Sequence, residues 1–220
     1  MRVAGRKSKG SRPLIKIAVV LCVVAVLGFL MVRSAKDARS TPYTVKRDRL
    51  RNGTVALESA SSPSAPMLAI RPQQELAADL FHQVFARNME SLNSPNPPAI
   101  PLVLKDEFDR AFAGHVTPEA LLAAARSAGL DATALEPQCL AYRRVSSPGV
   151  TQQLYFAIFD AQAFARFRHD IGAMPGAGAA FDPAALSPVL FIGASDPDFN
   201  RWLPLRADPK TDCVAPIVTE

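Results

Sequence analysis

The sequence predicts an α+β protein that has a single N-terminal transmembrane helix, a linker, and one small domain with helices packed on a mainly antiparallel sheet. Three observations predict this class. Residues 14–32 form a nearly unbroken apolar run, and the stretch 59–66 (SASSPSAP) has the composition of a linker. Beyond the linker, helical periodicity comes first and strand-like runs follow, which is typical of an α+β domain.

The apolar run is long enough to cross a bilayer. At the helical rise, the 19 residues from Leu14 to Val32 reach about 28 Å, close to the hydrocarbon thickness. The alternative is a cleaved signal peptide, which has a shorter apolar region and small residues before the cut. Because the run is long and Arg33 follows it directly, the sequence favours a retained signal-anchor that contacts the lipid bilayer.

The flanking charges set the expected orientation. Six basic residues and no acid lie before Ile17, whereas five basic residues and one acid follow the run up to Arg47. This difference is small, and it favours a cytoplasmic N-terminus. We expect four parts: a basic cytoplasmic tail (1–13), a transmembrane helix (14–32), a juxtamembrane segment and linker (33–72), and an extracytoplasmic α+β domain (73–220), periplasmic in a Gram-negative bacterium.

The distribution of charge argues against binding of nucleic acid. The chain carries a net charge of +5, but from Asn52 onward 12 basic residues face 18 acidic ones, which gives −6. The basic stripe that DNA- and RNA-binding domains carry is therefore absent from the domain. The remaining positive cluster, Lys46 to Arg51, is interpreted as a collar that contacts lipid head groups. A specific lipid or partner site is the alternative.

Two cysteines of the predicted domain are candidates for a disulfide. Cys22 lies inside the apolar run, so Cys139 and Cys213 remain for the domain. In an oxidising compartment outside the cytoplasm, a bridge between them is expected. It would close a loop that, on the chain-entropy model, stabilises the fold by about 4 kcal/mol. The alternative is two unrelated buried thiols.

The first predicted elements of the domain are helices. Apolar residues at three- and four-residue spacing predict a helix over 73–92, which the proline-rich stretch 94–98 ends. A short helix is predicted over 105–114. The triplet Thr117-Pro118-Glu119 marks the start of another helix, because it supplies an N-cap hydroxyl, a first-turn proline and an acid at the positive end of the helix dipole. This helix is expected to end at Gly129.

The last third of the chain is predicted to be richer in strands. Residues 139–145 and 153–159 have the pattern of a hairpin, and 161–174 that of an amphipathic helix. Two further strands are expected at 188–193 and 212–219. Upstream, Asn52-Gly53 favours a small hairpin within residues 43–58.

No catalytic or cofactor constellation is evident. Three isolated histidines lack the spacing of a zinc site: His82, His115 and His169. Ser195 follows a predicted strand but lacks the second glycine of the G-x-S-x-G motif. The nearby Asp196 and Asp198 do not complete a calcium loop. We therefore predict no catalytic residue, no metal and no cofactor.

The favoured function is non-enzymatic. We expect a single-pass membrane-anchored protein whose extracytoplasmic domain binds an envelope protein partner or a small ligand. Trp202, the one tryptophan, is predicted to pack in the core or, if exposed, to contact that partner. The alternative is a membrane-anchored hydrolase with a site near Ser195–Asp198. The sequence leaves the question of catalysis open.

Overall fold

The computed structural model describes residues 17, 20–30, 41–51, 53–88, 90–131, 134–147, 150–160, 162–177, 180–198 and 206–220. It divides the chain into two compact units, Met1–Ser40 and Thr41–Glu220. In the first unit, residues 20–30 are helical and their side chains are exposed. None of the helices in the described part of the chain combines the length and apolar character needed to span a bilayer. The expected tail (1–13) lies outside the described residues, and the expected span (14–32) lies only partly within them.

The second unit has helices and strands, so the α+β class is confirmed. Its described strands are β1 (Tyr43–Val45), β2 (Thr54–Leu57), β3 (Pro66–Arg71), β4 (Ile100–Leu104), β5 (Glu136–Ser147), β6 (Val150–Asp160), β7 (Val189–Ala194) and β8 (Cys213–Thr219). Its described helices are a 3-10 helix (Arg47–Leu50), α1 (Gln74–Asn88), α2 (Lys105–Ala111), α3 (Pro118–Ser127), α4 (Gln162–Gly172) and α5 (Pro209–Asp212).

These strands form two sheets where the sequence predicted one. The larger sheet has the order β1-β8-β5-β6-β7, and the smaller one has the order β2-β3-β4. All neighbouring strands are antiparallel except β1 and β8, which are parallel. One continuous set of buried apolar side chains connects both sheets and the helices. The unit therefore has a single core.

The folded unit begins well before the expected domain boundary at residue 73. β1, β2 and β3 lie in the stretch that was interpreted as juxtamembrane segment and linker, and side chains such as Tyr43 and Leu68 are buried there. The hairpin expected at Asn52-Gly53 is not formed, because β1 pairs with β8 and β2 pairs with β3. The serine- and proline-rich stretch is the connection between β2 and β3, so its composition marked a loop inside the domain.

The outer edge of β1 is covered by α1. The side-chain amide of Gln83 donates to the carbonyl oxygen of Thr44 at 2.8 Å and accepts from its N–H at 3.0 Å. These are the bonds that an additional strand would make. Arg87 donates to the carbonyl oxygen of Thr41 at 2.5 Å, and its guanidinium carbon lies 3.9 Å from the ring centroid of Tyr43. This edge is therefore closed to strand addition.

A buried ion pair fixes α4 to the rest of the core. The Arg168 side chain is 0% exposed and donates to both carboxylate oxygens of Glu107, at 2.7 and 3.2 Å. It also donates to three carbonyl oxygens, those of Leu102, Asp182 and Pro183. All five guanidinium donors are thus used. Glu107 in turn accepts from the N–H of Leu104, which caps the start of α2.

Candidate binding groove

The candidate site begins where β5 and β8 separate. Their described ladder has three pairs: Cys139–Pro216, Leu140–Ala215 and Ala141–Cys213. Pro216 of β8 and Pro137 of β5 each lack the backbone N–H that a ladder hydrogen bond needs. In addition, β5 has an irregularity between Pro137 and Cys139 where it pairs with β6. In the described residues, the two strands are therefore unpaired beyond Cys139.

The predicted cysteine pair lies at the closed end of this opening. The structure brings the sulfurs of Cys139 and Cys213 to disulfide-bonding distance, with their Cα atoms 5.7 Å apart. Cys139 also belongs to the last ladder pair before the strands part. The cross-link therefore holds β5 and β8 together directly beside the point of separation.

An ion pair also fixes the N-terminal end of β8, where Cys213 lies. The Arg143 guanidinium on β5 donates to both carboxylate oxygens of Asp212, at 3.1 and 2.5 Å, and to the carbonyl oxygen of Arg206 at 2.9 Å. Asp212 ends α5 and immediately precedes Cys213. The position where β8 begins is thus set by a covalent and an ionic contact.

The opening between the strands forms a groove. We define the groove by Arg47, Leu50, Arg51, residues 134–137 and residues 217–219, which enclose a volume of about 580 Å³. By comparison, two pockets beside the proline-rich stretch 94–98 have volumes of about 180 and 270 Å³. Residues 217–219 of β8 form one side of the groove. Residues 134–137, which include the first two residues of β5, form the other side.

The lining of the groove is largely apolar. Leu50, Leu135 and Ile217 are buried and belong to the hydrophobic core, whereas Val218 is 40% exposed. The N–H of Leu135 donates to the carbonyl oxygen of Leu50 at 3.1 Å, which ties the 3-10 helix to the start of β5. This backbone contact gives the groove a fixed base.

Two arginines at the groove have side chains without a partner. Arg47 and Arg51 are exposed, and within the described part of the chain their guanidinium groups make no hydrogen bond or ion pair. Arg49, which lies between them, pairs with Glu75 at 3.3 Å. Glu136 is the acid among the lining residues. Each free guanidinium offers five donors in a planar fork that matches carboxylate and phosphate oxygens.

The arginine on β3 shows what a partnered guanidinium looks like in this domain. Arg71 donates to the two carboxylate oxygens of Glu58 at 2.5 and 2.6 Å. These hydrogen bonds, together with the negative charge of Glu58, raise the pKa of Arg71 above its ordinary value. The contact joins the start of the β2–β3 connection to β3 and uses two of the five guanidinium donors of Arg71 for a carboxylate of the same domain.

Ser195, the candidate nucleophile of the hydrolase alternative, is held in structural hydrogen bonds. Its hydroxyl donates to the side-chain oxygen of Gln152 at 2.5 Å and accepts from the N–H of Gln153 at 2.9 Å. Asp196 accepts from the Gln152 amide at 3.2 Å and from the N–H of Asp198 at 2.8 Å. A serine nucleophile needs a base that takes its proton, and an amide oxygen is not one. The cluster closes the turn after β7.

The remaining candidate residues do not come together. Across the described ranges, no group of three or more His, Cys, Asp or Glu side chains is placed to hold a metal ion. His169 lies 3.6 Å from Asp170 on the surface of α4. Trp202, the predicted partner contact, lies outside the described residues.

The sequence singled out the Lys46–Arg51 cluster but did not reveal the groove. The other lining residues come from stretches 134–137 and 217–219, which are far from the cluster along the chain, so no local pattern connects them. The available signal was Pro216 inside a predicted strand, because a proline there interrupts a ladder.

No family model, curated protein or solved structure matches the chain. The function is therefore inferred from the geometry and charge of the groove and from its place in the chain.

Proposed function

We propose that this protein is a single-pass, membrane-anchored binding module without catalytic activity. Residues 14–32 hold it in the bilayer, and its extracytoplasmic unit binds an envelope protein partner or a small ligand in the groove. One observation carries the proposal: Arg47 and Arg51, whose guanidinium groups have no partner in the described ranges, lie beside an apolar opening in the sheet. An apolar cleft with a few placed polar groups is the usual form of a ligand site.

The exposed helix at residues 20–30 supports the anchor. Its apolar side chains, from Val20 to Leu30, are exposed without a polar stripe between them. Water does not favour such a surface, whereas the hydrocarbon of a bilayer accepts it. The Cys139–Cys213 pair supports an oxidising compartment for the second unit. With the basic tail in the cytoplasm, that compartment is the extracytoplasmic side.

The state of Ser195 supports a role without catalysis. Its hydroxyl and the neighbouring carboxylate of Asp196 serve Gln152 and the backbone of the turn. The groove itself is lined by two arginines, Glu136, Thr219 and apolar side chains, a set without the histidine that usually activates a hydroxyl nucleophile. Binding is therefore the chemistry that the groove supports best.

Affinity purification of the full chain from mildly solubilised membranes tests the proposal. We expect a stoichiometric protein or ligand, identified by mass spectrometry, to co-purify with the wild type and to be lost from the double variant Arg47→Ala/Arg51→Ala. The matched control is Arg144→Ala/Arg166→Ala, which removes the same charge from two other exposed arginines that make no side-chain bond in the described residues. Retention by the groove variant, or equal loss from both variants, would contradict the groove as the site.

A separate washing step tests the anchor. The full chain should stay in the membrane pellet after an alkaline carbonate wash and should need detergent for release. A chain that the wash releases would contradict the anchor, whatever the purification shows.

A further inference from the structure

We propose that the ligand of the groove is the head group of an anionic phospholipid from the bilayer that holds the chain, and that Arg47 and Arg51 bind its phosphate. This inference rests on the proposed function, because it requires the anchor. It names the class of ligand, which the geometry of the groove alone leaves open. Three properties of the second unit favour it: the distribution of charge, the position of the groove in the chain, and the poor hydrogen-bonding character of its walls.

The positive charge of the second unit is concentrated at its start. Residues 41–51 contain four basic residues and one acid, whereas the chain from Asn52 onward carries a net charge of −6. An anionic bilayer surface therefore attracts the first segment and repels the remainder. Each basic residue near such a surface contributes about a fivefold gain in binding. This asymmetry orients the groove toward lipid head groups.

The groove belongs to the part of the second unit that follows the predicted anchor most directly in sequence. Eight residues, 33–40, separate the predicted anchor from Thr41, and a fully extended chain of that length reaches at most about 28 Å. β1 follows at once and pairs with residues 217–219, which form one side of the groove. The N–H of Arg47 donates to the carbonyl oxygen of Glu220 at 3.0 Å. The start of the second unit therefore lies beside the strand that forms one side of the groove.

The lining matches the chemistry of a phospholipid head group. The forks of Arg47 and Arg51 suit phosphate oxygens, and binding breaks no contact that these side chains make with the described residues. Val218 and Ile217 offer apolar surface for the glycerol carbons beside the phosphate. Glu136 adds an acceptor, which suits a head group that carries hydroxyl groups and disfavours one with a second negative charge. Phosphatidylglycerol combines these features.

An extended peptide suits the groove less well. A peptide that adds to a sheet needs a row of backbone donors and acceptors on the strand beside it. In β5, Pro137 has no N–H to offer, and just before β5 the N–H of Leu135 is already bonded to the carbonyl oxygen of Leu50. In β8, Pro216 likewise lacks a donor where the opening starts. The side chains of the groove, more than its backbone, are therefore available for contacts.

A titration of the full-length protein in uncharged detergent tests the inference. The probe is dihexanoyl-phosphatidylglycerol, with dihexanoyl-phosphatidylcholine and inorganic phosphate as the other two arms, and bound lipid is counted by native mass spectrometry. We expect saturable binding of phosphatidylglycerol, at least about tenfold weaker binding of phosphatidylcholine, and no displacement by an equal concentration of inorganic phosphate. Arg47→Ala/Arg51→Ala should weaken binding by about 25-fold, and Arg144→Ala/Arg166→Ala by less than about twofold.

Three results would overturn the lipid assignment: equal binding of the two lipids, an equal loss in the two double variants, or displacement by inorganic phosphate, which would identify free phosphate as the ligand. A protein partner that depends on Arg47 and Arg51, without any binding of phosphatidylglycerol, would also overturn it while leaving the proposed function in place. Release of the chain by the carbonate wash would contradict the proposed function itself, so the two failures are distinguishable.

Discussion

Two groups of arginines in the second unit are used in opposite ways. Arg168 is fully buried, donates five hydrogen bonds and pairs with Glu107. Arg47 and Arg51 are exposed, and the described residues give their guanidinium groups no partner. A guanidinium whose donors are all used can only hold the fold together, whereas one with free donors can hold a ligand. The comparison separates residues that determine stability from residues that determine binding.

The largest expected effect is the loss of the buried guanidinium. Arg168→Met leaves Glu107 charged in the core and removes donors from three carbonyl oxygens, so we expect a loss of about 3–5 kcal/mol in the free energy of unfolding. Urea denaturation of the full chain in detergent measures it. Arg166→Met on the exposed side of the same helix is the control, with an expected change within about 0.5 kcal/mol.

A second variant keeps this test informative if Arg168→Met does not fold. Arg168→Lys retains the charge but not the planar fork, so it should fold and lose less stability than the methionine variant. Equal free energies of unfolding for the wild type and Arg168→Lys would mean that the geometry of the five hydrogen bonds contributes nothing to stability.

The next effect concerns the cross-link that closes one end of the groove. Replacing Cys139 and Cys213 together by serine should lower the free energy of unfolding by about 2–4 kcal/mol, because the unfolded chain regains the freedom of a long loop. Binding in the groove should weaken as well, since β5 and β8 are then free to separate further. Cys22→Ser is the control, because Cys22 is a free and exposed cysteine of the other unit. Unchanged stability of the double variant would show that the bridge is not formed.

A smaller effect is expected at the outer edge of β1. Gln83→Ala removes both hydrogen bonds to Thr44, so unfolding should become easier by about 1–2 kcal/mol. Gln74→Ala, at an exposed position of the same helix, should change stability by less than about 0.5 kcal/mol. Thermal unfolding of the three proteins compares them. Equal melting temperatures would mean that α1 does not need this contact to protect the edge.

The smallest effect on stability is expected at the groove itself. Arg47→Ala/Arg51→Ala should leave the free energy of unfolding within about 0.5 kcal/mol of the wild type, because neither guanidinium has a partner among the residues that the structure describes. The same variant should lose binding of the anionic lipid. Denaturation and lipid titration on one preparation would show both. A destabilised variant would place these arginines with Arg168, and the comparison would fail.

Local patterns in the sequence were enough for much of the fold. Thr117 does cap α3, with its hydroxyl accepting from the N–H of Ala120 at 3.2 Å, and Gly129 has a positive φ of 75° just after the helix. The β5–β6 hairpin and β7 also lie close to their predicted positions. These features depend on caps, turns and periodicity, which neighbouring residues determine.

Other parts of the fold depend on contacts between distant residues. β3 and β4 each contain a proline, Pro66 and Pro101, and neither apolar strand was predicted, because they begin at or just after the proline-rich stretches 59–66 and 94–98. The ion pair of Arg168 with Glu107 joins residues 61 positions apart. A signal for it was present, because Arg168 falls on the apolar stripe of Phe164, Phe167 and Ile171, where an unpaired charge would be costly. For the groove, the sequence held no signal other than the two prolines at the opening, Pro137 and Pro216.

The central claim is that the opening between β5 and β8 is the binding surface, and site-specific photo-crosslinking tests it most directly. A photoreactive amino acid replaces Val218 in the groove, or Arg166 on α4 as the control, in the full chain within its own membranes. The account predicts one discrete adduct from position 218, with the mass of an anionic phospholipid, and none from position 166. No adduct from position 218, or the same adducts from both positions, would contradict it.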